Sequence, residues 1–332
     1  MLMKNIVFLL NAKLRNNIFK QEDIDALSRI GNIVFNTDEE GPDADRAKEL
    51  IRDANIAITS WGCPRLDRDI LQHAPDLELI VHAAGTVKGI VSDEVWRRKI
   101  RVSSCAYPLG IGVAETALGF TITALKNMWN LARNTREGKW AEGRDKVREV
   151  YGVTIGVIGA GRAGRHYIKL MKNFDVDILL YDPTVDEQQA QEMGVKKVEL
   201  EELLTKSDVV SIHAPSIPET YHMINKETLA LMKDNAILIN TARGSLIDEG
   251  ALVEELKKGR LFACIDVTDP EPPAEDHPFR SLPNVILTPH IAGAVNNGLY
   301  RIGKYAVKEI QAYVKGEKMD GEVFENKLSI LA

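Results

Sequence analysis

The segment Thr154–Ile158, followed at once by Gly159-Ala160-Gly161-Arg162-Ala163-Gly164, constrains this chain more than any other feature. A short apolar run leads into glycines spaced G-x-G-x-x-G, and a stretch of helical periodicity, Arg165–Lys172, follows. Asp182, 18 residues beyond Gly164, ends the next apolar run. Three glycines alone carry little information. Strand, turn, helix and acid in this order specify a unit that binds a dinucleotide. Gly159 permits the tight turn, Gly161 lets a pyrophosphate approach the backbone, and Gly164 lets helix and strand pack closely. The helix N-terminus offers unpaired N–H groups and a partial positive charge to the phosphates. Arg162 either adds charge there or is a solvated arginine at the helix start. Asp182 is placed to accept hydrogen bonds from the adenosine ribose. The residues after it, Pro183-Thr184-Val185-Asp186-Glu187, hold no arginine for a 2′-phosphate, so NAD is expected over NADP. Gly159, Gly161, Arg162, Ala163 and Asp182 are the cofactor-binding candidates of this segment.

Around this unit, short apolar runs alternate with longer segments of helical periodicity, the pattern of an α/β protein with parallel sheets. Strands are expected at Ile6–Leu10, Ile33–Phe35, Ile56–Thr59, Leu79–Ala83 and Arg101–Ser103. A second series covers Thr154–Ile158, Ile178–Tyr181, Val209–Ile212, Ile237–Asn240, Ala263–Val267 and Val285–Leu287. Six strands is the number a full dinucleotide-binding sheet needs. Between the series, Gly112–Asn134 reads as one long helix that carries the chain from one domain to the other. The helix Leu299–Val314 follows the last strand and returns to the first domain. The expected fold is therefore a Rossmann-type doubly wound parallel sheet plus a second, smaller flavodoxin-like α/β domain, with a cleft between them. Residues 1–105 and 293–332 form a discontinuous substrate-binding domain, and residues 106–292 form the dinucleotide-binding domain.

Three segments each end an expected strand of the second series, where ligands of open parallel sheets bind. They are Asn240-Thr241-Ala242-Arg243-Gly244, Asp266-Val267-Thr268-Asp269-Pro270-Glu271-Pro272 and Thr288-Pro289-His290-Ile291-Ala292-Gly293. With Ile247–Leu252 (I-D-E-x-A-L), Val210–Pro215 and Gly138-Lys139-Trp140, they occur in the order and spacing of the D-isomer-specific 2-hydroxyacid dehydrogenases, which this chain resembles from about Leu79 to about Val314.

The resemblance implies a reaction and a set of roles. The reaction is the interconversion of a small 2-oxo acid and its D-2-hydroxy acid, with NAD and without a metal. Hydride transfer to a 2-oxo acid makes an alkoxide, so a proton donor is needed, and histidine is the usual one. By the family match His290 is that donor, Glu271 its partner, and Arg243 the group that binds the substrate carboxylate and carbonyl. A planar fork of donors suits that task better than an ammonium. His213, Ala214, Pro215, Thr241, Ala242, Asp266 and His290 are expected beside the cofactor. Ala84, Gly85 and Thr86, with Trp61, are expected on the substrate side. The resemblance also implies a homodimer, formed through Gly112–Asn134 and the region after it. Dehydrogenase-like transcriptional corepressors resemble the same motifs, so an NAD(H)-sensing interaction protein is the alternative function.

Composition narrows the partners. A net charge of −6 argues against nucleic acid or an anionic membrane as a main partner. The three cysteines, Cys63, Cys105 and Cys264, are an odd, sparse set without zinc-ligand spacing, which suits a reducing compartment. Ile6–Leu10 is too short for a signal peptide or a membrane span. The expected location is cytoplasmic.

Overall fold

The computed structural model describes residues 3–330. The chain divides into two compact units, Met1–Leu109 with Ala294–Ala332, and Gly110–Gly293. The expected divisions lay at 105/106 and 292/293. The first observed division falls inside the helix Ala106–Leu125. Leu109 packs with the core of the first unit. A Cβ on Gly110 would lie 3.0 Å from Ala163 N, and one on Gly112 would lie 3.1 Å from Gly293 O, both in the second unit.

In the first unit the strands are β1 (Lys4–Leu9), β2 (Gly31–Phe35), β3 (Ile56–Thr59), β4 (Leu79–His82) and β5 (Arg101–Ser104). In the second they are β6 (Tyr151–Ile158), β7 (Asp175–Tyr181), β8 (Lys196–Lys197), β9 (Val209–Ile212), β10 (Ile237–Asn240), β11 (Phe262–Ile265) and β12 (Val285–Leu287). A last strand, β13 (Glu322–Val323), belongs to the first unit.

The smaller sheet runs β2-β1-β3-β4-β5, all parallel, with β13 antiparallel to β5 at its edge. This 2-1-3-4-5 order is that of flavodoxin-like folds. Both faces are buried, so the strands read as continuous apolar runs. In β1, Ile6 and Phe8 enter one core, and Val7 and Leu9 enter the other. The helix Leu299–Lys315 adds Ile302, Ala306 and Ile310 to the first of these cores. Its Gly303 lies against the backbone of Ile18, where a Cβ would come within 2.2 Å of the carbonyl oxygen. The edge strand β13 is held by a buried carboxylate: Glu309 accepts hydrogen bonds from Ser103 Oγ (2.6 Å), Asp320 N (3.1 Å) and Gly321 N (2.9 Å).

The larger sheet runs β8-β7-β6-β9-β10-β11-β12, parallel throughout. It is the dinucleotide-binding order with one further strand, and its direction of winding reverses between β6 and β9. Along β10, Ile237 and Ile239 face one core and Leu238 the other. Truncation of such a residue to alanine costs about 2–5 kcal/mol.

The single helix expected over Gly112–Asn134 is two helices, Ala106–Leu125 and Met128–Arg136. Asn127 separates them with φ +50°, a left-handed conformation that asparagine tolerates. Ala106–Leu125 is long and apolar enough to cross a membrane, yet its Ala114, Ala117, Phe120, Ala124 and Leu125 lie in the core of the second unit.

Candidate active site

The glycine loop is built as its sequence requires. β6 is followed by Gly159, whose φ is +92° and whose N–H donates to Tyr181 O (2.9 Å). A Cβ there would sit 2.8 Å from Ala214 N, because the loop after β9 passes close by. The helix Arg162–Met171 then buries Tyr167, Ile168 and Met171. Its first turn packs so tightly on the loop that a Cβ at Gly164 would lie 2.0 Å from Gly159 O. A Cβ at Gly161 would meet nothing within 4 Å, so the space over this glycine is open to a ligand. Asp182 closes the loop from the end of β7. Its carboxylate accepts hydrogen bonds from Ala160 N (2.7 Å), Thr184 N (2.8 Å) and Thr184 Oγ1 (2.7 Å).

Next to the glycine loop, the ends of β9 and β10 leave two buried polar atoms unsatisfied. His213 Nε2 pairs with Ser211 Oγ at 2.9 Å, but His213 Nδ1 and Thr241 Oγ1 have no hydrogen-bond partner among the described residues. Such groups cost about 1–3 kcal/mol each when left unpaired. Burial pulls the His213 imidazole down to about 3, so the ring is neutral. Open space at Gly161, a helix N-terminus and two orphaned polar atoms beside the switch point fit a dinucleotide. Ala214 lies in the core, and Pro215 O accepts Thr220 Oγ1 (2.6 Å).

The three further loops are pinned by backbone contacts. After β10, Asn240 Oδ1 accepts Ala242 N (3.0 Å) and Asn240 Nδ2 donates to Arg243 O (2.8 Å), a turn that fixes Arg243. The guanidinium donates to Ala242 O (2.6 Å). Burial lowers its pKa and the charge of Glu271 opposes that; arginine stays cationic at neutral pH. After β11, the buried Asp266 carboxylate accepts Thr288 Oγ1 (2.5 Å), Ile291 N (2.9 Å) and Ala292 N (2.8 Å). Its carbonyl accepts His290 N (3.0 Å). Asp266, expected beside the cofactor, thus spends its carboxylate on the loop that carries His290. That loop holds His290 at φ +52°.

His290 Nδ1 stands 2.6 Å from Glu271 Oε1. Both side chains are about half exposed, at 48% and 42%. With an ionised carboxylate as acceptor, Nδ1 carries the proton and Nε2 is the atom left to exchange one. A cationic fork, an imidazole and a carboxylate oriented in this way can bind an oxyanion and transfer a proton.

The expected substrate-side residues belong to the other unit. Ala84 is buried, and Gly85 and Thr86 are half-buried at the end of β4. Trp61 is 45% exposed, beside Gly62 at φ +80°. No group of three or more His, Cys, Asp or Glu side chains that could hold a metal occurs among the described residues. Two residues near the site carried a sequence signal that went unassigned. Glu249 lies inside the Ile247–Leu252 motif, and His277 follows the Glu271 loop; they pair at 3.2 Å.

Residues 118–292 match the family described as D-isomer specific 2-hydroxyacid dehydrogenase, NAD binding domain. A D-3-phosphoglycerate dehydrogenase of Methanocaldococcus jannaschii is 34% identical over 91% of this chain and 57% of its own length. The chain therefore spans a little over half of that relative. A glyoxylate reductase of Korarchaeum cryptofilum is 34% identical over 84% of this chain and 86% of its own length. Among solved structures, a protein of Thermus thermophilus superposes with a TM-score of 0.75 at 28% identity, over 96% of this chain and 100% of that one.

Proposed function

The chain belongs to the D-isomer specific 2-hydroxyacid dehydrogenase family, and we propose that it interconverts a small 2-oxo acid and its D-2-hydroxy acid with NAD. The single observation that carries this reading is the 2.6 Å contact between His290 Nδ1 and Glu271 Oε1, on loops that follow strands of the same sheet as a glycine turn that fits a dinucleotide. Bound NADH supplies the hydride for reduction of the keto carbon, and NAD accepts it in reverse. Arg243 binds the substrate carboxylate and polarises its carbonyl oxygen. His290 gives a proton from Nε2 to that oxygen as it gains charge, and takes one back in the oxidative direction. Glu271 keeps the proton on Nδ1 and stabilises the imidazolium. Asp182 receives the ribose hydroxyls, and His213 Nδ1 and Thr241 Oγ1 gain partners from the bound nucleotide. Ala84, Gly85 and Thr86 contribute backbone N–H groups to the substrate carboxylate, and Trp61 borders its side chain.

The test is oxidation of NADH, in parallel with NADPH, across 2-oxo acids from glyoxylate and hydroxypyruvate to 3-phosphohydroxypyruvate and phenylpyruvate. Turnover of one group with NADH is the expected result, and it reports the size and charge of the pocket. NADH binding without turnover of any acid would favour an NAD(H)-sensing protein instead. Failure to bind NADH would remove the reading altogether.

A further inference from the structure

Glu271 has one hydrogen-bond partner among the described residues, His290, so the place of its carboxylate depends on the backbone that carries it. That backbone is held from one side by Gly244. A Cβ there would lie 2.1 Å from Thr268 C and 2.5 Å from Asp269 N, so the Arg243 turn lies flat against the Glu271 loop. Glu249 holds it as well. Its Oε1 accepts the Asp269 N–H at 2.8 Å, and Thr268 Oγ1 donates to Pro270 O at 2.9 Å one step on. Glu249 is not needed to cap its own helix, Glu249–Lys257, because Asp248 does that by accepting Ala251 N at 3.0 Å.

The second oxygen of Glu249 stands against His277. His277 Nδ1 accepts the Phe279 N–H (3.3 Å), so the proton of the neutral ring sits on Nε2. Nε2 then faces Glu249 Oε2 at 3.2 Å. Both side chains are largely shielded, with exposures of 13% for Glu249 and 20% for His277. We propose that Glu249 and His277 are positioning residues, which fix the loop at Asp269 and thereby hold the Glu271 carboxylate against His290. This rests on the reading of Glu271 and His290 given above.

A double-mutant cycle on kcat separates this from a general structural role, with NADH and the 2-oxo acid of the panel reduced fastest. Glu249→Gln keeps the volume but removes the charge and one of the two oxygens that face Asp269 N and His277. It should lower kcat about 10- to 100-fold, the scale of a small misplacement of a reacting group, with NADH affinity unchanged. Glu271→Gln should lower kcat by about 10²-fold, the scale of a lost acid–base partner. The double variant should be no slower than Glu271→Gln alone, because both act through one contact. If the two losses multiply, or Glu249→Gln turns over like the wild type, the proposal is overturned. If Glu271→Gln turns over normally, the failure lies in the function reading, and this proposal falls with it. Should Glu249→Gln not fold, His277 carries the same test. His277→Leu should slow turnover, and His277→Gln should restore it, since the amide can accept from Phe279 N–H and donate to Glu249. Equal rates for those two variants would overturn the proposal as well.

Discussion

At the carboxyl edge of the smaller sheet, polar side chains turn inward and pair. Thr59 Oγ1 meets His82 Nδ1 at 2.9 Å, Ser60 Oγ donates to Ala83 O at 2.9 Å, and Ser104 Oγ donates to Gly85 O. At the same edge of the larger sheet, His213 Nδ1 and Thr241 Oγ1 are buried without hydrogen-bond partners among the described residues, and His290 and Glu271 stand half exposed. Serine, threonine and histidine occur at both edges, so composition does not separate them. The accounting of hydrogen bonds does. In the smaller unit these side chains pair within the protein. In the larger unit the accounting stays open, and a bound nucleotide or substrate would offset about 1–3 kcal/mol for each orphan it pairs.

The contrast breaks most sharply at the histidines. His290→Gln should lower kcat about 10³-fold, the usual scale for losing a general acid–base group. NADH binding, followed by fluorescence, should persist because the glycine loop is untouched. Loss of NADH binding would mean that His290 belongs to the nucleotide site instead. Arg243→Lys comes next. It keeps the charge and loses the fork, and kcat/KM should fall roughly 10- to 100-fold, the worth of one or two charge-assisted hydrogen bonds. Near-normal kcat/KM with the best 2-oxo acid would take Arg243 out of the site.

His82 tests the closed edge. Burial pulls its imidazole down to about 4, and that of His213 to about 3. In both, the folded chain resists a proton that the unfolded chain accepts near pH 6.5. Their stability contribution is therefore complete above that pH and is lost as pH falls toward the folded value. For His82 the loss between pH 6.5 and pH 5 should be on the order of 2 kcal/mol. His82→Gln, which keeps a polar partner for Thr59, should flatten that part of the stability curve in urea unfolding. An unchanged slope between the two pH values would show that His82 is protonated in the folded protein.

Much of this is legible in the sequence. The glycine turn follows from local chemistry, since Gly159 at φ +92° and Gly164 against Gly159 O leave no room for a side chain. The buried parallel strands follow from apolar runs too short for helices. Three things were not legible. Asn127 breaks the long helix, but an asparagine inside a helical pattern looks like any polar surface residue. The strands β8 and β13 are two residues each, too short for alternation to register. The bonds of the Asp266 carboxylate to Thr288, Ile291 and Ala292 span 22 to 26 residues of chain. Spacing marks such a residue as important without showing which neighbour it serves.

Asp182, in the larger unit, is both a structural acceptor and the candidate ribose ligand. Ala160 N and Thr184 already occupy its oxygens, so Asp182→Ala should loosen the glycine loop and weaken both nucleotides. The ratio of kcat/KM with NADPH to that with NADH removes this shared loss. That ratio should rise about tenfold, because a 2′-phosphate no longer meets a carboxylate. Asp182→Asn sharpens the point. It keeps an oxygen for one donor, removes the charge and should give the same ratio with a smaller common loss. A ratio that stays at the wild-type value in both variants, while both affinities fall together, would assign Asp182 to the loop alone and leave discrimination against NADP to other residues of the turn.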